Sequence, residues 1–110
     1  MTHRLLLLDD HPAFRESVAW FLRRDHYEVH AVGDGDEAAN LLGRSRFDLV
    51  ITDGDHPGMP GDQIAKLSER CILLTGSRRE DSVHKSVPIE GLLEHVKQVL
   101  ATEIPAQLRI

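Results

Sequence analysis

The stretch Leu49-Val50-Ile51-Thr52-Asp53-Gly54-Asp55-His56-Pro57-Gly58-Met59-Pro60-Gly61 decides how the rest of the chain is read. Leu49 to Ile51 is an apolar run of strand length, and the acidic, Gly/Pro-rich segment after it can prolong neither a strand nor a helix. Asp53 therefore stands at the carboxyl end of a buried strand. Two other apolar runs finish the same way, Leu5 to Leu8 in Asp9 and Asp10, and Ile72 to Leu74 in Thr75. In an open parallel sheet the carboxyl ends of the strands share one edge, and ligands bind just outside it. Three runs thus bring three carboxylates and a hydroxyl to one edge.

Working outward, residues 4 to 9 read as the first strand, and Pro12 suits the first turn of a helix, where its missing N–H costs nothing. Phe14, Val18, Phe21 and Leu22 then mark one face of an amphipathic helix ending near Arg24. Trp20 falls off that stripe, as a rim residue or a contact for a partner. Tyr27 to Val32 alternates as a second strand. Asp34 and Glu37 have capping-box spacing before Ala38, Leu41 and Leu42, and Gly43 is expected to end that helix. After the central loop, Asp62 to Ser68 is a short helix with Ile64, Ala65 and Leu67 available for the sheet. Cys71 to Thr75 is the fourth strand, Val83 to Lys85 at most a very short fifth, and from Pro88 a final amphipathic helix carries Ile89, Leu92, Leu93, Val96, Val99 and Leu100 on one side and fades near Pro105. Alternating strands and helices imply an α/β, doubly wound sheet with helices on both faces.

Composition narrows the function classes. The chain has 110 residues, enough for one domain and one core, and a formal net charge of -5. An acidic balance argues against direct nucleic-acid binding, which needs a clustered positive face. The single Cys71 abuts an apolar strand with no activating His or Lys beside it, so it reads as a small buried or half-buried thiol. The leucine run at 5 to 8 is too short for a membrane span or a signal peptide, and the chain is expected to be cytoplasmic, with no membrane partner.

Leu7-Leu8-Asp9-Asp10-His11-Pro12-Ala13-Phe14-Arg15-Glu16 resembles the opening of a two-component response-regulator receiver domain. Asp53, Pro57, Met59 and Gly61 stand at the spacings found around that family's phosphorylated aspartate, and Thr75 and Lys85 complete the pattern. The resemblance covers essentially the whole chain, 1–110, with 103–110 as a tail or the start of a linker. It implies a flavodoxin-like fold with a five-stranded parallel sheet in the order 2-1-3-4-5, the arrangement that general accounts of this fold illustrate with a receiver protein. It implies a phosphoacceptor, not a turnover enzyme, taking a phosphoryl group on Asp53 from a histidine kinase or phosphotransfer protein. Asp10 and Asp53 would bind Mg²⁺ directly, Asp9 through water, and the Asp55 carbonyl would fill another position. Lys85 and the Thr75 hydroxyl would contact the phosphoryl group.

The pattern also departs from the family. Only residues 76–84 separate Thr75 from Lys85, where the family places a helix and a strand. A parallel crossover usually takes a dozen or more residues, so the helix between strands 4 and 5 is expected to be missing. The family's switch aromatic is Ser82 here, and the Pro after its Lys is Ser86. The usual output surface therefore lacks parts, which implies signalling through a non-standard one.

Two alternatives stay open. One is a phosphorylation-independent receiver-like module for protein interaction or homodimerisation. The other is an aspartyl-phosphate phosphohydrolase, since Asp53-Gly54-Asp55 resembles the nucleophile and acid pair of haloacid-dehalogenase-like enzymes, though it ends the third strand where theirs ends the first. His56 and His11, near the acids, also raise a transition-metal site. The remaining histidines, 3, 26, 30, 84 and 95, read as solvent-facing.

Overall fold

A computed structural model describes residues 2–53, 56–75, 82–84 and 89–101. The chain runs β1 (Arg4–Leu8), α1 (Pro12–Arg24), β2 (Glu28–Val32), α2 (Gly35–Arg44), β3 (Leu49–Asp53), α3 (Gly61–Leu67), β4 (Cys71–Thr75), β5 (Ser82–His84) and α4 (Ile89–Ala101). The strands form one sheet in the order β2-β1-β3-β4-β5, and every pairing is parallel. This is the flavodoxin-like order expected from the resemblance.

A strand buried on both faces shows no polar alternation, because both of its sides meet helices. The leucines of β1 divide accordingly. Leu5 and Leu7 pack with Val18, Ala19 and Leu22 of α1 and Leu92 and Val96 of α4, whereas Leu6 and Leu8 pack with Ala38 of α2 and Ile64 of α3. Period-two side-chain direction thus makes two apolar layers from one strand.

Local chemistry sets the helix ends. His11 is the extended N-cap of α1, with Pro12 at the first helical position. Asp34 caps α2, its Oδ1 accepting from the Asp36 amide at 2.7 Å and the Glu37 amide at 3.2 Å. Gly43 does not end α2, which continues to Arg44 and stops at the extended Ser45. Leu67, expected to face the sheet, is 52 % exposed at the end of α3, while Ile64 carries the burial.

β5 begins beside Leu73, with Ser82 in register, and runs parallel to β4 to the Thr75↔His84 pair. The expected absence of a helix between these strands concerns residues 76–81, which lie outside the described residues. Among the described residues, no helix is long and apolar enough to cross a membrane.

Candidate functional site: an acidic cluster at the carboxyl edge of the sheet

The neighbouring strands β1 and β3, paired Leu8↔Thr52 at their carboxyl ends, bring Asp9 and Asp53 to the same point of the edge. Asp9 is fully buried and Asp53 is 2 % exposed, whereas Asp10 turns outward. One ligand atom from each of Asp9, Asp10, His11 and Asp53 lies within 4.8 Å of all the others. Isolated buried carboxylates are costly, so such a cluster requires positive charge or donated hydrogen bonds close by.

Part of that compensation is local. The His11 amide donates to Asp9 Oδ1 at 2.9 Å, and the side chain of the same residue folds back over the acids. His11 Nδ1 stands 3.2 Å from Asp9 Oδ1, 3.1 Å from Asp10 Oδ1 and 3.8 Å from Asp53 Oδ2. Asp9 and Asp10 also lie just before α1, whose N-terminal dipole end favours negative charge. Arg15, one turn into α1, donates from Nη1 to the Asp9 carbonyl at 3.0 Å and fastens the β1–α1 turn.

The β3–α3 loop is tied to the start of α2. Gly35 N–H donates to the Pro57 carbonyl at 2.8 Å, and the Met59 amide donates to Asp36 Oδ1 at 3.1 Å. The His56 ring lies along this seam. Its Nε2 is 3.5 Å from the Thr52 hydroxyl and its Nδ1 3.1 Å from the Pro57 carbonyl. The imidazole that joins the carboxylates is therefore His11 alone among the described residues.

Among the residues expected at the site, Asp9, Asp10 and Asp53 come together. Thr75 ends β4 one strand over from Asp53, and its hydroxyl lies outside the described atoms. Asp55, Lys85 and Ser86 lie outside the described residues. Sequence reasoning named His11 and His56 together as candidates for a transition-metal site, and of the two the structure brings only His11 to the acids among the described residues. The signal for its role was present, since Pro12 biases the residue before it toward extended backbone, and the observed His11 angles are φ -91° and ψ 104°.

The sequence profile of the response regulator receiver domain matches residues 5–90. The chain belongs to the response-regulator receiver family. As a receiver domain it is 31 % identical over 112 residues to the sensory transduction protein RegX3 of Mycolicibacterium smegmatis, covering 96 % of this chain and 48 % of that protein. It is 41 % identical over 79 residues to the transcriptional activator protein PfeR of Pseudomonas aeruginosa, covering 72 % of this chain and 23 % of that one. The receiver chain thus spans about half or less of the length of these curated relatives.

Among solved structures, TrrA of Thermotoga maritima in complex with Mg²⁺-BeF shares 30 % identity at a TM-score of 0.78, covering 90 % of this chain and 99 % of that one. The chemotaxis response regulator CheY4 of Vibrio cholerae superposes at 0.81 with 24 % identity, over 90 % of this chain and 99 % of that one, and supports the fold.

Proposed function

We propose that this receiver domain accepts a phosphoryl group on Asp53, with Mg²⁺ held by Asp10, Asp53, the Asp55 carbonyl and, through water, Asp9. The convergence of three carboxylates from β1 and β3 within 4.8 Å carries the proposal. The donor set fits the ion, because Mg²⁺ prefers oxygen ligands and these carboxylates would supply them. Its chemistry when bound is the neutralisation of charge on the transferring group.

The chain's own residues have simple tasks in this reading. An Asp53 carboxylate oxygen bonds to phosphorus while the bond to the donor's nitrogen or oxygen breaks and the donor leaves with that electron pair. Asp9 and Asp10 hold the site's charge balance. Lys85 and the Thr75 hydroxyl contact the phosphoryl oxygens. The donor is a histidine kinase, a phosphotransfer protein or a small acyl phosphate, and the domain is a phosphoacceptor without turnover of its own. The location is cytoplasmic, and residues 1–110 act as one domain.

Intact mass after incubation with acetyl phosphate, with and without Mg²⁺, tests this on the wild type and on Asp53→Asn. A Mg²⁺-dependent phosphoryl adduct absent from the variant is expected. No adduct under any condition overturns the proposal.

A second reading is favoured by one observation. Only six residues, 76–81, separate the ends of β4 and β5 in the sequence, fewer than a parallel crossover through a helix usually takes. Ser82 also replaces the switch aromatic. Output then runs through a surface other than the family's, or through docking or homodimerisation independent of Asp53. Sedimentation of the protein with and without the adduct separates these: association unchanged by phosphorylation favours the second reading.

A further inference from the structure

The end of α1 farther from the acids holds an indole in solvent. Trp20 is 56 % exposed. Its ring meets Phe21 edge to face with centroids 4.9 Å apart, and the Arg24 guanidinium lies over it at 5.4 Å. Arg24 also lines a cavity of about 250 Å³ between α1 and α4, together with Phe21 and the C-cap Asp25 on one side and Glu90 and Leu93 on the other. We propose that this face is a two-fold interface between two copies of the chain, in which Trp20 of each copy fills the cavity of the other and Arg24 pairs with Glu90 across the axis. It gives the homodimerisation reading a surface and does not depend on phosphoryl acceptance.

Size decides what the cavity takes. Small-molecule sites run to about 300–1,000 Å³, and this one is smaller, at about 250 Å³. A single large side chain suits it better than a cofactor does.

Charge decides whose side chain it is. A two-fold contact joins a patch to itself, so that patch must carry both members of every pair. Arg24 and Glu90 line the same cavity from different helices, yet neither forms an ion pair among the described residues. Asp25, by contrast, already has Lys97 Nζ at 3.8 Å. A cation and an anion, each without an opposite charge, thus flank one apolar socket, with an exposed indole beside it. A partner carrying charge of one sign would satisfy only one of them, whereas a second copy satisfies both. Buried aromatic anchors of this kind supply most of the energy of an interface.

Sedimentation equilibrium of the full chain tests this on wild type, Trp20→Ala, Arg24→Glu and Glu90→Arg, and on an equal mixture of the two charge variants. The wild type is expected to dimerise. Emission from Trp20, the one tryptophan in the chain, should move to shorter wavelength as concentration rises. Trp20→Ala and each charge variant alone should weaken association about tenfold or more, the loss expected at a central anchor. The mixture should recover it, because both cross-axis pairs then join opposite charges again. Such recovery excludes misfolding as the cause of the single losses, and circular dichroism melts check each fold. Variants that associate as the wild type does, or a mixture no better than its components, overturn the interface. A wild type that stays monomeric at every concentration overturns it too, and leaves the face to a different protein. The acetyl phosphate adduct is scored separately on the same samples. A Trp20-dependent dimer without an adduct sinks the phosphoacceptor reading only, and an adduct without a dimer sinks this interface only.

Discussion

Gly35 and Met59 approach so closely that no Cβ fits between them. One built on Gly35 would meet the Met59 amide nitrogen at 2.7 Å and its carbonyl oxygen closer still. Both obstacles are backbone, which cannot rotate away as a side-chain tip does. The contact ties the first turn of α2 to the loop that follows Asp53, and Gly58 completes the seam with φ 83°.

Gly35→Ala is therefore expected to destabilise the fold by about 1–3 kcal/mol, the usual range for forced overpacking. Urea unfolding measures it. A midpoint equal to wild type contradicts the close approach.

Gly43 has the opposite prospect. It lies inside α2 with nothing within 4 Å of a Cβ built on it. Gly43→Ala should stabilise the protein by about 0.5–1 kcal/mol, because alanine loses less backbone freedom on entering a helix. A melting temperature raised by a few degrees is the expected reading, and a lowered one refutes it.

Burial pushes the Cys71 thiol up to about 11, and a side-chain hydrogen bond with Ser68 offsets only part of that. Below pH 9 the thiol is protonated in both folded and unfolded chains, so its contribution to pH dependence is flat. Between about 9 and 11 the unfolded chain loses this proton and the folded one keeps it, so stability falls as pH rises through that window. Stability curves for wild type and Cys71→Ser should converge or cross there. At pH 8 this half-buried thiol should react with a thiol reagent more slowly in the folded protein than in the urea-unfolded chain.

Metal binding should be visible as stability. An ion held at 100 times its dissociation constant adds about 2.7 kcal/mol, so Mg²⁺ should raise the melting temperature of the wild type. Asp10 is the most exposed of the three acids and the least involved in packing. In Asp10→Asn the Mg²⁺-dependent gain should shrink to a small fraction while the metal-free melt stays cooperative. An undiminished gain removes Asp10 from the metal site.

Much of this was legible in the sequence because the signals were strong and local. Apolar runs ending in acids named the shared edge, Pro12 marked the start of α1, and Asp34 announced the cap of α2. Gly43 misled, since a glycine inside a helix and one that ends it look alike until the backbone is seen. Leu67 misled for a related reason: a seven-residue helix has too few turns for periodicity to say which apolar residue faces the sheet. His11 was underread because the direction of a ring depends on the backbone that carries it, and spacing alone does not contain that direction.

The alternation along β1 has a consequence for how the protein tolerates change. Leu6 and Leu7 are covalent neighbours, yet each answers to a different set of packing partners on opposite sides of the sheet. Substitutions that share a layer interact, and those without shared partners tend toward simple addition. A variant at Leu7 should then be rescued from α1 or α4 and never from α3, so that this strand carries two separable histories of repacking within five residues.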